Sequence, residues 1–342
     1  MKKFFASLLF FSHCFLQAES LEHRHAIAER DFNPSYAKLA TGDFSQRKAS
    51  QNRTRHPWPV QVKSIGHTMA SYQNYSFAGA AYFHHGLDIR ADAGSAVYAS
   101  AGGKVINIEN YVPGDPAYWE IALLDEEGFI WQYHHVDRES IPETIFQAYK
   151  NQTPVLAGTK LGEVFFWPVV TFGERFHHIH LNILGKDKSY WNPFEFLEIL
   201  PDSSSPEISQ FHLVANGKPV PGTTVSQSGY TVAAEIRDLI LSDVFIVPAN
   251  EIRMAIDGAS PFTVWKFDGL PGSADPEKHV NQFYVPSLAC GDYRCRRPII
   301  NLGFKLNSTQ VFPVTVGSHF LDLTVIDYNG NTSSRRFTWN VK

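Results

Sequence analysis

The chain has 342 residues, more than one typical single-core domain holds, so two folded units are expected. Hydrophobic residues at 44% and charged residues at 19% are the proportions of an ordinary globular protein, and aromatics at 14% beside many Val, Ile and Thr lean it toward strands. Thirty basic residues against 34 acidic ones, with no long basic run, exclude nucleic acid as a natural partner.

The N-terminus, "MKKFFASLLFFSHCFLQAES", has Lys2 and Lys3, an apolar run from Phe4 to Phe11 and a small residue at Ala18. That pattern predicts a signal peptide over 1–18, cleaved after Ala18, and an exported protein, periplasmic or secreted. The apolar run is too short to span a bilayer, and no later run is long enough, so no integral membrane segment is expected in the mature chain. Cys14 does not make this a lipoprotein signal, because His13 and Phe11 fit a lipid-attachment box badly.

Residues 19–55 are polar and weakly patterned and read as an N-terminal extension or pro-segment. From 56 to 200 short β-like runs alternate with Gly turns. "DEEG" between two apolar alternations signals a hairpin, and "WNPFEFLEIL" predicts one short closing helix in an otherwise all-β region. "PDSSSPE", 201–207, reads as a linker. Over 208–342 strands recur between turns: Val232, Ala234 and Ile236 share a face, as do Leu321, Leu323 and Val325, and Phe337, Trp339 and Val341 across the "DYNGN" turn. This predicts an immunoglobulin-like β-sandwich. Cys290 and Cys295 are too few for a structural zinc site; they form a local disulfide in an oxidising compartment or stay as two buried thiols.

Seven of the 15 histidines lie between 84 and 180, in "FHHGLDIRA", "WQYHHVD" and "ERFHHIHLNI". Residues two apart in a strand share a face, so His178 and His180 point one way and His177 the other. A catalytic metal site takes three protein ligands from Cys, His, Asp and Glu and keeps one position open. His84 and Asp88 would lie roughly 13 Å apart in extended chain, at about 3.3 Å per residue, so the chain must bend between them, and Gly86 permits that. His84, Asp88 and His180 then form a set of two imidazoles and a carboxylate that suits zinc, without excluding other divalent metals. His135 and His178 are left beside the metal, suited by a pKa near neutrality to orient or deprotonate a water and to steady charge on an attacked carbonyl.

In their order, His84-His85-Gly86-Leu87-Asp88, Tyr133-His134-His135 and His178-Ile179-His180 match H-x-G-x-D, Y-x-H and H-x-H, and residues 56–200 resemble the lysostaphin-type zinc metallopeptidases, the LytM family of peptidoglycan endopeptidases. "DIRADAGSAVYASAGGKVI", "VLAGTKLGEV" and "WNPFEFL" resemble the family's connecting segments. The resemblance implies an antiparallel β core with the site in a groove, one zinc on His84, Asp88 and His180, His135 and His178 as catalytic histidines, and hydrolysis of amide bonds in a peptidoglycan peptide substrate. Leu181 and Asn182 replace the family's Phe and Glu at positions that are neither ligand nor catalytic. The stretch "FFWPVVTFGERF" is more apolar than the family's and bears on substrate preference. A LytM-type regulator that activates other wall hydrolases is the alternative; members of that kind have lost metal ligands, whereas all five key residues are present here.

Overall fold

The computed structural model describes residues 34–62, 68–70, 84–168, 170–171, 174–175, 177–226, 229–242, 245–247, 249–270, 283–285, 299–305, 308–309 and 312–342. The signal peptide expected over 1–18, the first part of the extension and Cys290 and Cys295 lie outside the described residues. The protein is mainly β, with sheets that are almost entirely antiparallel. No helix among the described residues is long and apolar enough to cross a membrane.

A 14-stranded sheet organises the chain. Its strands include β1 (Thr68–Ala70), β2 (Leu87–Arg90), β3 (Gly103–Asn110), β4 (Trp119–Asp125), β5 (Ile130–His134) and β6 (His178–Leu184), side by side in the order β1-β2-β6-β5-β4-β3. The two faces follow from alternation. Ile179, Leu181 and Ile183 of β6 join Trp131, Tyr133, Ile121, Leu123, Leu87 and Ile89 in one core, where each fully buried Ile or Leu contributes about 1.5–3 kcal/mol. The other face is polar at its centre: His178, His180 and Asn182, His134 and Gln132, and Glu120 are all buried. Tyr36, Ala37 and Ala40 of the extension pack with Ala122, Ile130 and Leu184 on that face. The Tyr36 hydroxyl hydrogen-bonds Glu120 and accepts from Gln132 Nε2 at 2.7 Å.

The "DEEG" hairpin forms as expected. Asp125 N–H donates to Phe129 O, Phe129 N–H donates to Asp125 Oδ1, and Gly128 takes φ 86°, a left-handed backbone that glycine adopts without strain. The expected closing helix shrinks to a three-residue 3-10 turn, Pro193–Glu195, capped by Asn192. Residues 196–198 leave it to pair with His56: His56 N–H donates to Phe196 O and Glu198 N–H to His56 O. Two α-helices were not evident in the sequence. Phe44–Ala49 starts at an Asp43 cap, and Glu143–Asn151 buries Ile145 and Ala148 and ends in left-handed Gln152.

C-terminally, β7 (Glu207–Ala215) and β8 (Tyr230–Ser242) form one sheet wall. Opposite lie β10 (Glu251–Ile256), β11 (Gly317–Ile326) and β12 (Thr332–Val341), antiparallel in the order β12-β11-β10. Leu213, Val232, Ala234 and Ile236 share a core with Ile252, Met254, Leu321, Leu323, Val325, Trp339 and Val341. The strand β8 also pairs antiparallel with β9 (Phe245–Val247), which pairs in parallel with β1, so one sheet runs from the histidine-bearing region into the C-terminal region.

Candidate metal centre

The antiparallel register of β2 on β6 sets His180 opposite Asp88, which places both side chains on the same face. Asp88 Oδ1 stands 2.9 Å from His180 Nδ1, 3.2 Å from His84 Nε2 and 3.7 Å from His178 Nε2. One donor atom from each of His84, Asp88 and His180 lies within 4.8 Å of the others, and all three residues are buried. Tetrahedral zinc with bonds of about 2.0–2.1 Å needs donors roughly 3.3 Å apart, so this set needs only small adjustments to hold one ion. Two imidazoles and a carboxylate are also a donor chemistry that zinc accepts, so the residues present fit the metal expected from the sequence.

Hydrogen bonds orient each imidazole. His84 Nδ1–H donates to Gly86 O at 2.9 Å, which turns Nε2 toward Asp88. His180 Nε2–H donates to Asn182 Oδ1 at 2.8 Å, which turns Nδ1 inward. Such outer partners fix the tautomer that a ligand needs. Burial pushes the Asp88 carboxyl upward, but the imidazoles of His84, His178 and His180 around it, which carry protons when no metal takes their place, outweigh it. The net effect holds Asp88 well below the usual carboxylate range, ionised as a ligand must be.

Gly86 bends the chain between His84 and Asp88 as the sequence implied, but the demand for glycine comes from close approach rather than from a left-handed backbone. A Cβ there would lie 2.4 Å from Leu181 O, 2.3 Å from Asn182 Oδ1 and 2.9 Å from His180 Nε2.

His135 and His178 lie beside the three donors. Their rings are 4.7 Å apart, and Trp167 packs against both, at 5.1 and 5.5 Å. Strand alternation alone gives His134, not His135, the face of His180, and His134 is the residue paired with His180 in the register. His135 reaches the site because the chain turns left-handed there, at φ 63°, a conformation that costs roughly 1–2 kcal/mol for a non-glycine residue. Backbone bonds hold it: Phe165 N–H donates to His135 O and Val136 N–H to Trp119 O. His135 Nδ1–H donates to Ala117 O, in the 3-10 turn Pro116–Tyr118, at 2.7 Å, which directs Nε2 away from that turn.

The structure brings together all five residues singled out in the sequence, His84, Asp88, His135, His178 and His180. His177 lies apart as expected: its Nδ1 accepts from Trp167 N–H, and its ring meets Phe166. His85 stacks on Tyr190. Asn182, at a position that is neither ligand nor catalytic in the sequence reading, holds a candidate ligand; its place two residues after His180, on the same strand face, is the signal for it. His134 joins a buried network instead, with Nε2 3.0 Å from Glu120 Oε2 and Nδ1 bonded to the Tyr111 hydroxyl.

No family profile matches the chain, and no curated protein matches it. Among solved structures it is similar to Csd3 of Helicobacter pylori, at 18% identity over 42% of this chain and 33% of that one, with a TM-score of 0.29. It is also similar to the catalytic domain of the antimicrobial peptidase lysostaphin from Staphylococcus simulans, at 17% identity over 42% of this chain and 89% of that one, with a TM-score of 0.25. The match spans well under two thirds of the Csd3 chain.

Proposed function

We propose that the chain is an exported zinc-dependent endopeptidase that hydrolyses amide bonds in peptidoglycan stem peptides or cross-links. The observation that carries this reading is the buried convergence of His84, Asp88 and His180 with His135 and His178 beside them. The peptidoglycan part rests on the resemblance of the three ordered motifs to LytM-type peptidases.

Zinc, when bound by His84, Asp88 and His180, supplies Lewis acidity and lowers the pKa of water at the open position. The chain's own residues do the rest. His135 is held in one tautomer by Ala117 O, so its Nε2 accepts the proton of the attacking water. His178, adjacent to His135, steadies the negative charge that grows on the carbonyl oxygen. The amide C–N bond then breaks: the hydroxyl oxygen of water stays on the carbonyl carbon, and the proton taken by His135 passes to the leaving nitrogen. Trp167 keeps bulk water from the two histidines.

Incubation of the zinc-loaded protein with purified peptidoglycan, followed by mass spectrometry of the soluble fragments, tests the reading. Cleavage should release peptides with one new amino group and one new carboxyl group per cut. A zinc-loaded protein that cuts nothing, but stimulates a separate wall hydrolase, would replace the enzyme with a regulator.

A further inference from the structure

A second group of ligand-type side chains lies far along the sequence from the histidines, where the segment leaving the histidine-bearing region meets the C-terminal sheets. Asp202 belongs to the predicted linker, Asp238 to β8, and Asp327 opens the turn between β11 and β12. One carboxylate oxygen from each lies within 4.8 Å of the other two. Asp238 and Asp327 are each only 1% exposed. Among the described residues no Lys, Arg or His pairs with any of the three.

Three carboxylates this close repel one another, and burial strengthens the repulsion. Asp327 is firmly placed: its Oδ1 accepts N–H bonds from Asn329 and Asn331 at 2.8 Å each, and its Oδ2 accepts from Asn331 Nδ2 at 2.8 Å. Asp238 has no such support. Its Oδ1 is buried without a hydrogen-bond partner, and so is Asp202 Oδ2. Buried polar atoms ordinarily find a partner, so two unmatched oxygens here point to something that fills the gap.

We propose that Asp202, Asp238 and Asp327 bind one calcium ion, which fastens the segment after Leu200 to the C-terminal sheets. All three donors are hard oxygens, with no imidazole or thiolate among them, which suits calcium rather than zinc. Calcium binds carboxylate oxygens at about 2.3–2.6 Å, so three oxygens within 4.8 Å of one another can meet on a single ion. Magnesium is disfavoured because it keeps several waters, and two of these carboxylates are buried. The linker is already held at this point: Asn329 Nδ2 donates to Leu200 O at 2.7 Å, and Asn331 Nδ2 to Asp202 O at 3.1 Å. A further buried oxygen without a partner, Asn250 Oδ1, belongs to the residue whose N–H donates to Ile326 O, one position before Asp327. None of these residues belongs to the histidine site, so the proposal stands apart from the peptidase reading.

The test is calorimetric titration of the zinc-loaded full chain with calcium chloride, paired with thermal unfolding over the same range, up to about 10 mM, above the range of weak calcium modules. The wild-type chain should bind one calcium per chain and unfold several degrees higher in its presence, with magnesium giving a smaller shift. Asp238→Asn and Asp202→Asn should each abolish the binding and the shift. Asp202 lies in the linker, so Asp202→Asn keeps the test readable if Asp238→Asn folds poorly. His180→Ala should bind calcium as the wild type does. No calcium binding by the wild type would overturn the proposal and leave a proton shared among the carboxylates. Calcium binding that survives Asp238→Asn and Asp202→Asn, or is lost in His180→Ala, would overturn it by placing the ion elsewhere.

Discussion

Asp88 Oδ1 and His180 Nδ1 lie 2.9 Å apart at directly opposed positions of β2 and β6. Two ligand-type atoms from strands 92 residues apart therefore meet through one register, and a slip of one residue would send His180 to the apolar face. Asp88→Asn preserves the shape and removes the charge. It should weaken zinc binding by at least about 100-fold, beyond the 10–100-fold typical of outer-sphere changes, and remove peptide cleavage. Competition with a chromophoric chelator reads the first effect; near wild-type affinity would show that Asp88 is not a ligand.

Gly86→Ala should act through space rather than charge. The added carbon meets Leu181 O and Asn182 Oδ1, neither of which can retreat without moving β6 or the bond to His180. A loss of roughly 1–3 kcal/mol in denaturant unfolding, together with weaker zinc binding, is expected. A variant as stable as the wild type, with full zinc affinity, would show that the site tolerates the extra carbon.

Asn182 holds His180 from the side opposite Asp88. Asn182→Ala should reduce zinc affinity about 10–100-fold while the chain stays folded, and Asn182→Glu should recover most of it, because a carboxylate also accepts from Nε2–H. Equal zinc affinity in all three proteins would separate Asn182 from the metal centre.

The C-terminal sheets carry a pH dependence of their own. His319 Nε2–H donates to Thr315 O and Nδ1–H to Asp257 Oδ2, and both bonds raise its pKa, that to Thr315 first. The protonated form is favoured in the folded state. Its contribution to stability is therefore fully present below about 6.5, the unfolded value, and is lost as pH rises through the folded value. Thermal unfolding at about pH 5.5 and about pH 8.5 should show the wild type losing more stability than His319→Gln between the two. Parallel behaviour of the two proteins would remove His319 from the account.

Much of the histidine site was legible in the sequence, because two local rules reach it. Period-two alternation separates His177 from His178 and His180, and a spacing of four with glycine inside brings His84 to Asp88. Other features depend on contacts that no local pattern encodes. His135 enters the site only because the chain turns left-handed after β5, a conformation held by Phe165 and Trp119. Tyr36 looked like part of a weakly patterned extension, yet its hydroxyl meets Glu120, 84 residues away. Glu143–Asn151 is a short amphipathic helix among strands, and its period is easily lost between β-like runs. Asp202, Asp238 and Asp327 carry no motif, since they meet only through the packing of three separate segments.

The central claim is that His180 holds the metal and His135 does chemistry beside it. The direct measurement is zinc content and peptidoglycan digestion of the wild type, His180→Ala and His135→Ala, each purified under identical conditions. The wild type should hold about one zinc per chain and release soluble wall peptides. His180→Ala should lose both zinc and release, whereas His135→Ala should keep the zinc and lose release by about 100-fold or more. A wild-type chain that binds no zinc, or a His135→Ala variant that digests the wall at the wild-type rate, would contradict the account.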